Sequence, residues 1–319
     1  MASLAERLRP RELLSRSGPL GGLILLCVVM TILSPYFLTF TNLFNVGTQI
    51  AVVAILALGQ TFVIVSGGID LSVGSVLGLA GIVFGWATAV ANLPLPAALA
   101  LGIGVGALAG LTNGLLITLA NLPPFIATLA MLSAARGLAL VISNGQPLSP
   151  IPAAIRALGS GDLFGFVPLP VVLMFVIWAL TVGILRGTYA GRCMYAIGGN
   201  EEASRLSGIN VSRQKLLIYT LSGLFAGIAG VLLTARLASA SPQAGFTYEL
   251  DAIAAVVIGG ASLSGGVGSA SGTLIGALIL GVLRNGLNLL NVSAFWQQVV
   301  IGAVIALAVM TDTLRRRKG

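Results

Sequence analysis

The chain contains no histidine, and among its 319 residues it has only two cysteines and nine acidic side chains. Without histidine the commonest general base and metal ligand are missing, which weighs against an enzyme. Cys27 falls inside the first long apolar run and Cys193 inside a polar segment, so their different levels argue against a disulfide. Charge of either sign is scarce: it makes up 8% of the chain and is absent from Ser17 to Ile69 and from Leu71 to Ala135. With 57% apolar residues and a mean hydropathy of +1.03, the sequence excludes an ordinary soluble domain.

What is present is long, apolar and rich in glycine. Each bilayer crossing needs roughly 20 apolar residues, so the length allows about ten. Apolar runs between turn signals fall at 19–38, 44–66, 71–91, 96–119, 124–143, 167–186, 215–237, 251–264, 269–290 and 294–312. They are too continuous for barrel strands, which leaves helices as the spanning element. The 42 glycines suit close helix packing in lipid. The expected fold is an all-α polytopic membrane protein, with one transmembrane domain over 19–312 between tails at 1–18 and 313–319. The first run lacks a small-x-small cleavage site, so it is read as an uncleaved helix.

The net charge of +8 is distributed in a way that argues against nucleic acid. Basic residues gather in the N-terminal tail (Arg7, Arg9, Arg11, Arg16), in 186–215 and at the end (Arg315, Arg316, Arg317, Lys318). The positive-inside pattern places all three on the cytoplasmic face, so the number of crossings is even. Residues 187–214 then form a cytoplasmic loop, while 144–166 and 238–250 lie outside. A short surface helix is expected near Ile151–Leu158, and the eighth run, ending in Gly259-Gly260, is expected to be broken or re-entrant.

Charge in the middle of the chain peaks at 186–215, which carries Arg186, Arg192, Glu201, Glu202, Arg205, Arg213 and Lys215. Within it, Glu202-Ala-Ser-Arg-Leu-Ser-Gly208 suggests a short helix stopped by glycine and projecting as a knob. A plain solvated loop is the bland alternative. Docking of a cytosolic partner is favoured, with Arg192, Gly198, Gly199, Asn200, Glu201, Glu202, Ala203 and Gly208 as its residues.

In Gly67-Gly-Ile-Asp-Leu-Ser-Val-Gly74 the glycines break the second run, and Asp70 is the sole acid between Glu12 and Asp162. Asp70 or Ser72 is expected to cap the next helix through backbone N–H groups; the competing reading is a pathway or gate, since irregular backbone at membrane depth lines protein or water. Val63–Ser75 is echoed by Val257–Ser269, and Gly110–Leu115 by Gly281–Leu287, as in internally repeated transporters; the two offsets differ, and convergence of glycine-rich membrane helices by composition alone is the alternative. Pathway candidates are Gly67, Gly68, Asp70, Ser72, Asn113, Asn285 and Arg136; the last is an isolated charge in the fifth run whose bland role is pairing with helix-end carbonyls or a carboxylate. Arg236, Glu249 and Asp251 are expected to be solvated at the outer ends. Arg156, Asp162, Arg236 and Glu249 are the candidates for seating an external partner. Gly265–Gly272 lacks the Lys-[Ser/Thr] of a phosphate loop and follows no strand, so any ATP-driven step is expected to lie on another chain.

Gly67–Ser75, the run Gly191-Arg-Cys-Met-Tyr-Ala-Ile-Gly-Gly-Asn-Glu-Glu-Ala203 and Asp251–Gly276 resemble the permease subunits of ribose-type sugar ABC importers, a family that includes ribose, xylose, galactose and autoinducer-2 permeases. The resemblance runs from about Pro35 to Thr311, and Glu202-Ala203-Ser204…Gly208 is similar to the loop by which importer permeases dock on their ATPase. It implies a bacterial inner-membrane subunit working as a dimer, homomeric or with a close paralogue. ABC ATPase subunits carrying ATP and Mg would lie below it, and a periplasmic sugar-binding protein above; no cofactor is expected on this chain. Arg284 departs from the uncharged residue that the family pattern leads one to expect. An ion-coupled secondary transporter, a branched-chain amino acid or nucleoside permease and a membrane scaffold remain as alternatives.

Overall fold

A computed structural model describes residues 10–163, 165 and 167–317; the outermost parts of both basic tails, with Arg7, Arg9 and Lys318, lie outside the described residues. In chain order the elements are α1 (Pro10–Leu33), α2 (Phe40–Val65), α3 (Val73–Ala89), α4 (Leu95–Thr118), α5 (Pro124–Ser143), α6 (Ala153–Ser160), β1 (Asp162–Leu163), β2 (Val167–Pro168), α7 (Leu169–Gly187), α8 (Tyr189–Gly199), α9 (Glu201–Leu206), α10 (Val211–Leu237), α11 (Tyr248–Ile258), α12 (Ala270–Leu289) and α13 (Ala294–Arg317). The strands form one antiparallel hairpin with Asp162 opposite Pro168.

Every expected apolar run holds a helix, and the chain is mostly helical. Six of these helices, α2, α4, α5, α7, α10 and α12, are long and apolar enough to cross a bilayer; α1, α3 and α13 contain shorter apolar stretches. The eighth run differs from its expected span. Its helix, α11, covers 11 residues, about 16 Å at 1.5 Å per residue, roughly half of a hydrocarbon core. Residues 259–269 are irregular because a chain of glycines and serines leaves the helix there.

Helix starts follow the prolines. Pro94, Pro123 and Pro168 precede α4, α5 and α7, and Pro96, Pro124 and Pro170 occupy their first turns, where a missing N–H costs nothing. Exits use asparagine: Asn92, Asn121, Asn144 and Asn291 all take positive φ just past a helix.

The core is built around α2 and α10. Buried side chains run almost unbroken from Ile50 to Val65 on α2, and Phe62 meets Phe225 of α10 edge-on at 5.8 Å. Gly106, Gly110 and Gly114 form one stripe on α4 that lies directly on the α10 backbone at Leu216, Tyr219, Gly223 and Gly227. Lipid supplies no hydrophobic drive between helices, so this close approach and its dispersion contacts hold the pair together. A leucine at Gly110 would force the two helices apart.

Polarity is inverted relative to a soluble protein. Gln60, Asp70, Asn113, Thr128, Ser222 and Thr273 are buried, while Ile32, Leu180, Phe295 and Trp296 are exposed. Such a surface suits hydrocarbon, and the chain is a multi-pass membrane protein.

Candidate functional site

The 187–214 segment holds two helices where one short helix in a loop was expected. Thr188 opens α8 by accepting from Gly191 N–H (3.1 Å), and Asn200 opens α9 by accepting from Ala203 N–H (2.9 Å). Glu201 and Glu202 sit in the first turn of α9 and Arg205 in its last, as the helix dipole favours. Gly208, at φ +84°, closes α9: its N–H donates to Arg205 O, and Ile209 N–H donates to Ser204 O. The knob expected from the sequence is present. Its tip exposes Glu202, Ala203 and Leu206, the last 84% accessible. Glu201 pairs with Lys215 at 2.8 Å and Arg205 at 3.2 Å.

Behind the knob, α8 touches both breaks in the bundle. A Cβ on Gly198 would strike Val65 O and Gly266 N, and one on Gly265 would strike Gly198 and Gly67. Gly266 N–H donates to Val65 O at 2.8 Å, tying the end of α2 to the segment after α11. Tyr195 Oη donates to Gly268 O at 2.9 Å. Burial raises the Tyr195 pKa, with Arg186 pulling weakly downward, so the phenol keeps the proton it donates. Gly67 and Gly198 are thus joined, and the two echoing glycine segments meet on one helix.

The pathway candidates divide among three places. Asp70 is 1% exposed; its Oδ1 accepts from Ser72 N–H (2.9 Å) and Oγ–H (2.6 Å), and its Oδ2 from Ser222 Oγ–H (2.9 Å). Asn113 Nδ2 donates to Ser72 Oγ at 3.0 Å. The expected cap is corrected in detail: Ser72 is the N-cap of α3 but its hydroxyl binds Asp70, and Asp70 holds the cap residue rather than the helix N–H groups. Gly68 lies beneath Tyr219, whose hydroxyl is buried and, like Asn113 Oδ1, has no partner among the described residues. Turned so that both atoms of its amide are satisfied, the Gln60 side chain brackets the Asp70 main chain, its nitrogen donating to Asp70 O (3.2 Å) and its oxygen accepting from Asp70 N–H (3.1 Å). Gln60, Tyr219 and Ser222 went unread in the sequence. Gln60 was visible as a polar interruption of an apolar run, whereas Ser222 is hidden among small residues.

Arg136 and Asn285 lie apart from that cluster. Arg136 Nη1 donates to Pro242 O and Ala244 O, carbonyls of the loop between α10 and α11 rather than of a helix end. Asn285 exchanges amide bonds with Asn42 (2.8 and 3.0 Å), clasping α12 to α2.

At the other end of the bundle, Arg156 and Asp162 are exposed, Arg236 and Glu249 half-buried. Asp162 and Arg236 line one cavity of about 470 Å³. The expectation that Asp251 is solvated is corrected: it is 5% exposed, and Arg284 Nη2 donates to both its oxygens at 3.1 and 3.2 Å. A charge at this depth persists only with such a partner. Among the described residues no group of three or more metal-ligating side chains occurs.

A broken-helix bundle with a projecting two-helix segment suits a membrane transport component, and its family and relatives make it a permease and not itself an enzyme. The chain belongs to the family described as branched-chain amino acid transport system / permease component, whose pattern matches residues 42–309. It is 47% identical over 309 residues to the ribose import permease protein RbsC of Bacillus subtilis (strain 168), covering 96% of this chain and 95% of that one. It is 45% identical to RbsC of Escherichia coli (strain K12), covering 95% of each. With the xylose transport system permease protein XylH of Haemophilus influenzae (strain ATCC 51907 / DSM 11121 / KW20 / Rd) it shares 37% over 360 residues, 93% of this chain and 96% of that one.

Proposed function

We propose that this chain is the permease subunit of an ATP-driven importer that moves a ribose-like monosaccharide into the cytoplasm by alternating access. In this reading ten segments cross the bacterial inner membrane with both termini inside, the eighth as α11 together with the irregular chain that follows it. Two permease copies, alike or paralogous, pair in the membrane. ABC ATPases with their ATP and Mg dock on Glu201–Gly208, and a sugar-binding protein delivers substrate to the 144–166 and 238–250 loops.

The observation that carries the reading is the bare-backbone packing of α8 on both breaks at Val65, Gly198 and Gly266. A push on the exposed knob reaches, through α8, a backbone-to-backbone contact with the end of α2 and with the segment after α11. Docking at either face shifts such a two-state element only if it favours a different state. Relatives named for ribose and xylose favour a sugar over a branched-chain amino acid. An ion-coupled transporter is disfavoured, because Asp70 is already enclosed by its donors.

The test is affinity purification from detergent of wild type, Gly208→Asp and Glu202→Ala. An ATPase that co-purifies with wild type and is depleted in the variants supports the reading. Absence of any ATPase from the folded wild type removes its engine.

A further inference from the structure

At the end of the bundle away from α8, a cavity of about 340 Å³ opens between α2, α10, α12 and the 238–247 segment. Its position follows from the helices: Gln49 lies about 24 Å up α2 from Val65, and Arg236 is in the last turn of α10. The volume falls within the roughly 300–1,000 Å³ range of small-molecule pockets. Val53 and Leu233 give it an apolar floor, and the Phe246 ring stands at its rim.

Polar side chains converge on it from four elements. Gln49, Arg236, Gln243 and Tyr248 all line the space, and none makes a side-chain hydrogen bond to another described residue. Arg284 joins them with its charge already matched by Asp251. Two carboxamides and a phenol both donate and accept, as a ring of hydroxyls requires, while a guanidinium donates to hydroxyl oxygens without needing an anion. A sugar also presents C–H faces, which the floor and Phe246 complement.

We propose that this cavity is a transit site for the incoming sugar, in which Gln49, Gln243 and Tyr248 bind the hydroxyls of an uncharged polyol between delivery and inward opening. The proposal rests on the sugar-importer reading. It adds a substrate contact on the permease itself and assigns the residues that make it.

The test uses the full importer, with its ATPase and sugar-binding protein, in proteoliposomes supplied with labelled ribose or xylose. The single variants Gln49→Leu and Gln49→Ala, on α2 and outside the loops assigned to docking, are compared with wild type. Uptake falling about tenfold, the scale expected for lost hydrogen bonds, while stimulation of ATP hydrolysis by the loaded binding protein survives, supports the site. Unchanged uptake overturns it. Parallel loss of uptake and stimulation also overturns it, since the residues then serve docking or folding. If wild type moves neither sugar, the sugar reading fails and the site fails with it. Should Gln49→Leu not fold, Gln49→Cys in a Cys27→Ser/Cys193→Ser background gives a second readout. Labelling by a membrane-impermeant maleimide is slowed by sugar during turnover if the site exists; an unaltered rate refutes it.

Discussion

Where α8 meets the breaks, Gly198, Val65 and Gly266 touch backbone to backbone, with no room for a methyl group. At the opposite end of α2, Gln49, Gln243 and Tyr248 stand around open volume. In the proposed reading one end transmits displacement and the other accommodates a ligand. The difference also predicts where substitutions are tolerated, since backbone contacts cannot rearrange as side chains do.

The largest effect tests whether the roomy end is uniformly forgiving. Arg284→Met alone strands the Asp251 carboxylate and should cost about 3 kcal/mol. Thermal melting of the purified protein reads this loss, and Asp251→Asn/Arg284→Met should recover most of it. A melting point unmoved by the single change would mean the pair is solvated after all.

Next comes Gly198→Ala, expected to cost about 2 kcal/mol by overpacking and to abolish sugar-stimulated ATP hydrolysis. Its neighbour supplies the contrast, because a Cβ on Gly199 meets nothing within 4 Å. Gly199→Ala should therefore leave stimulated hydrolysis at the wild-type rate. Equal behaviour of the two variants would erase the distinction between the ends.

Gly208→Ala forces a side chain into the left-handed region at about 1 kcal/mol and should weaken ATPase retention several-fold. The smallest change is Glu201→Gln. Its pairs with Lys215 and Arg205 are partly exposed, so their loss should cost under about 1 kcal/mol, measured as a slight drop in melting point at low salt.

Much of this was legible in the sequence. Apolar runs and proline punctuation placed the helices, since both are local properties of the chain. Glycine and capping chemistry placed the Glu201–Gly208 knob. The joint was not legible, because Val65, Gly198 and Gly266 meet only through long-range packing; the echo of Val63–Ser75 in Val257–Ser269 hinted at a relation without giving contact. Asp251 was misread for the same reason: its partner Arg284 lies 33 residues away, one helix later. Ser222 had no signal, because a serine within an Ala/Gly-rich run is indistinguishable from packing filler.

The glycine stripe of α4 has a mechanical consequence. With carbonyls of one helix lying on the α-carbons of the other, α4 and α10 behave as one thick beam, stiffer in bending than either helix alone. Arg213 and Lys215 begin that beam beside the knob, and Arg236 ends it at the cavity. Under the importer reading, a tilt imposed at its base is delivered at its far end with little loss, and a short stroke at the knob changes the shape of the distant cavity.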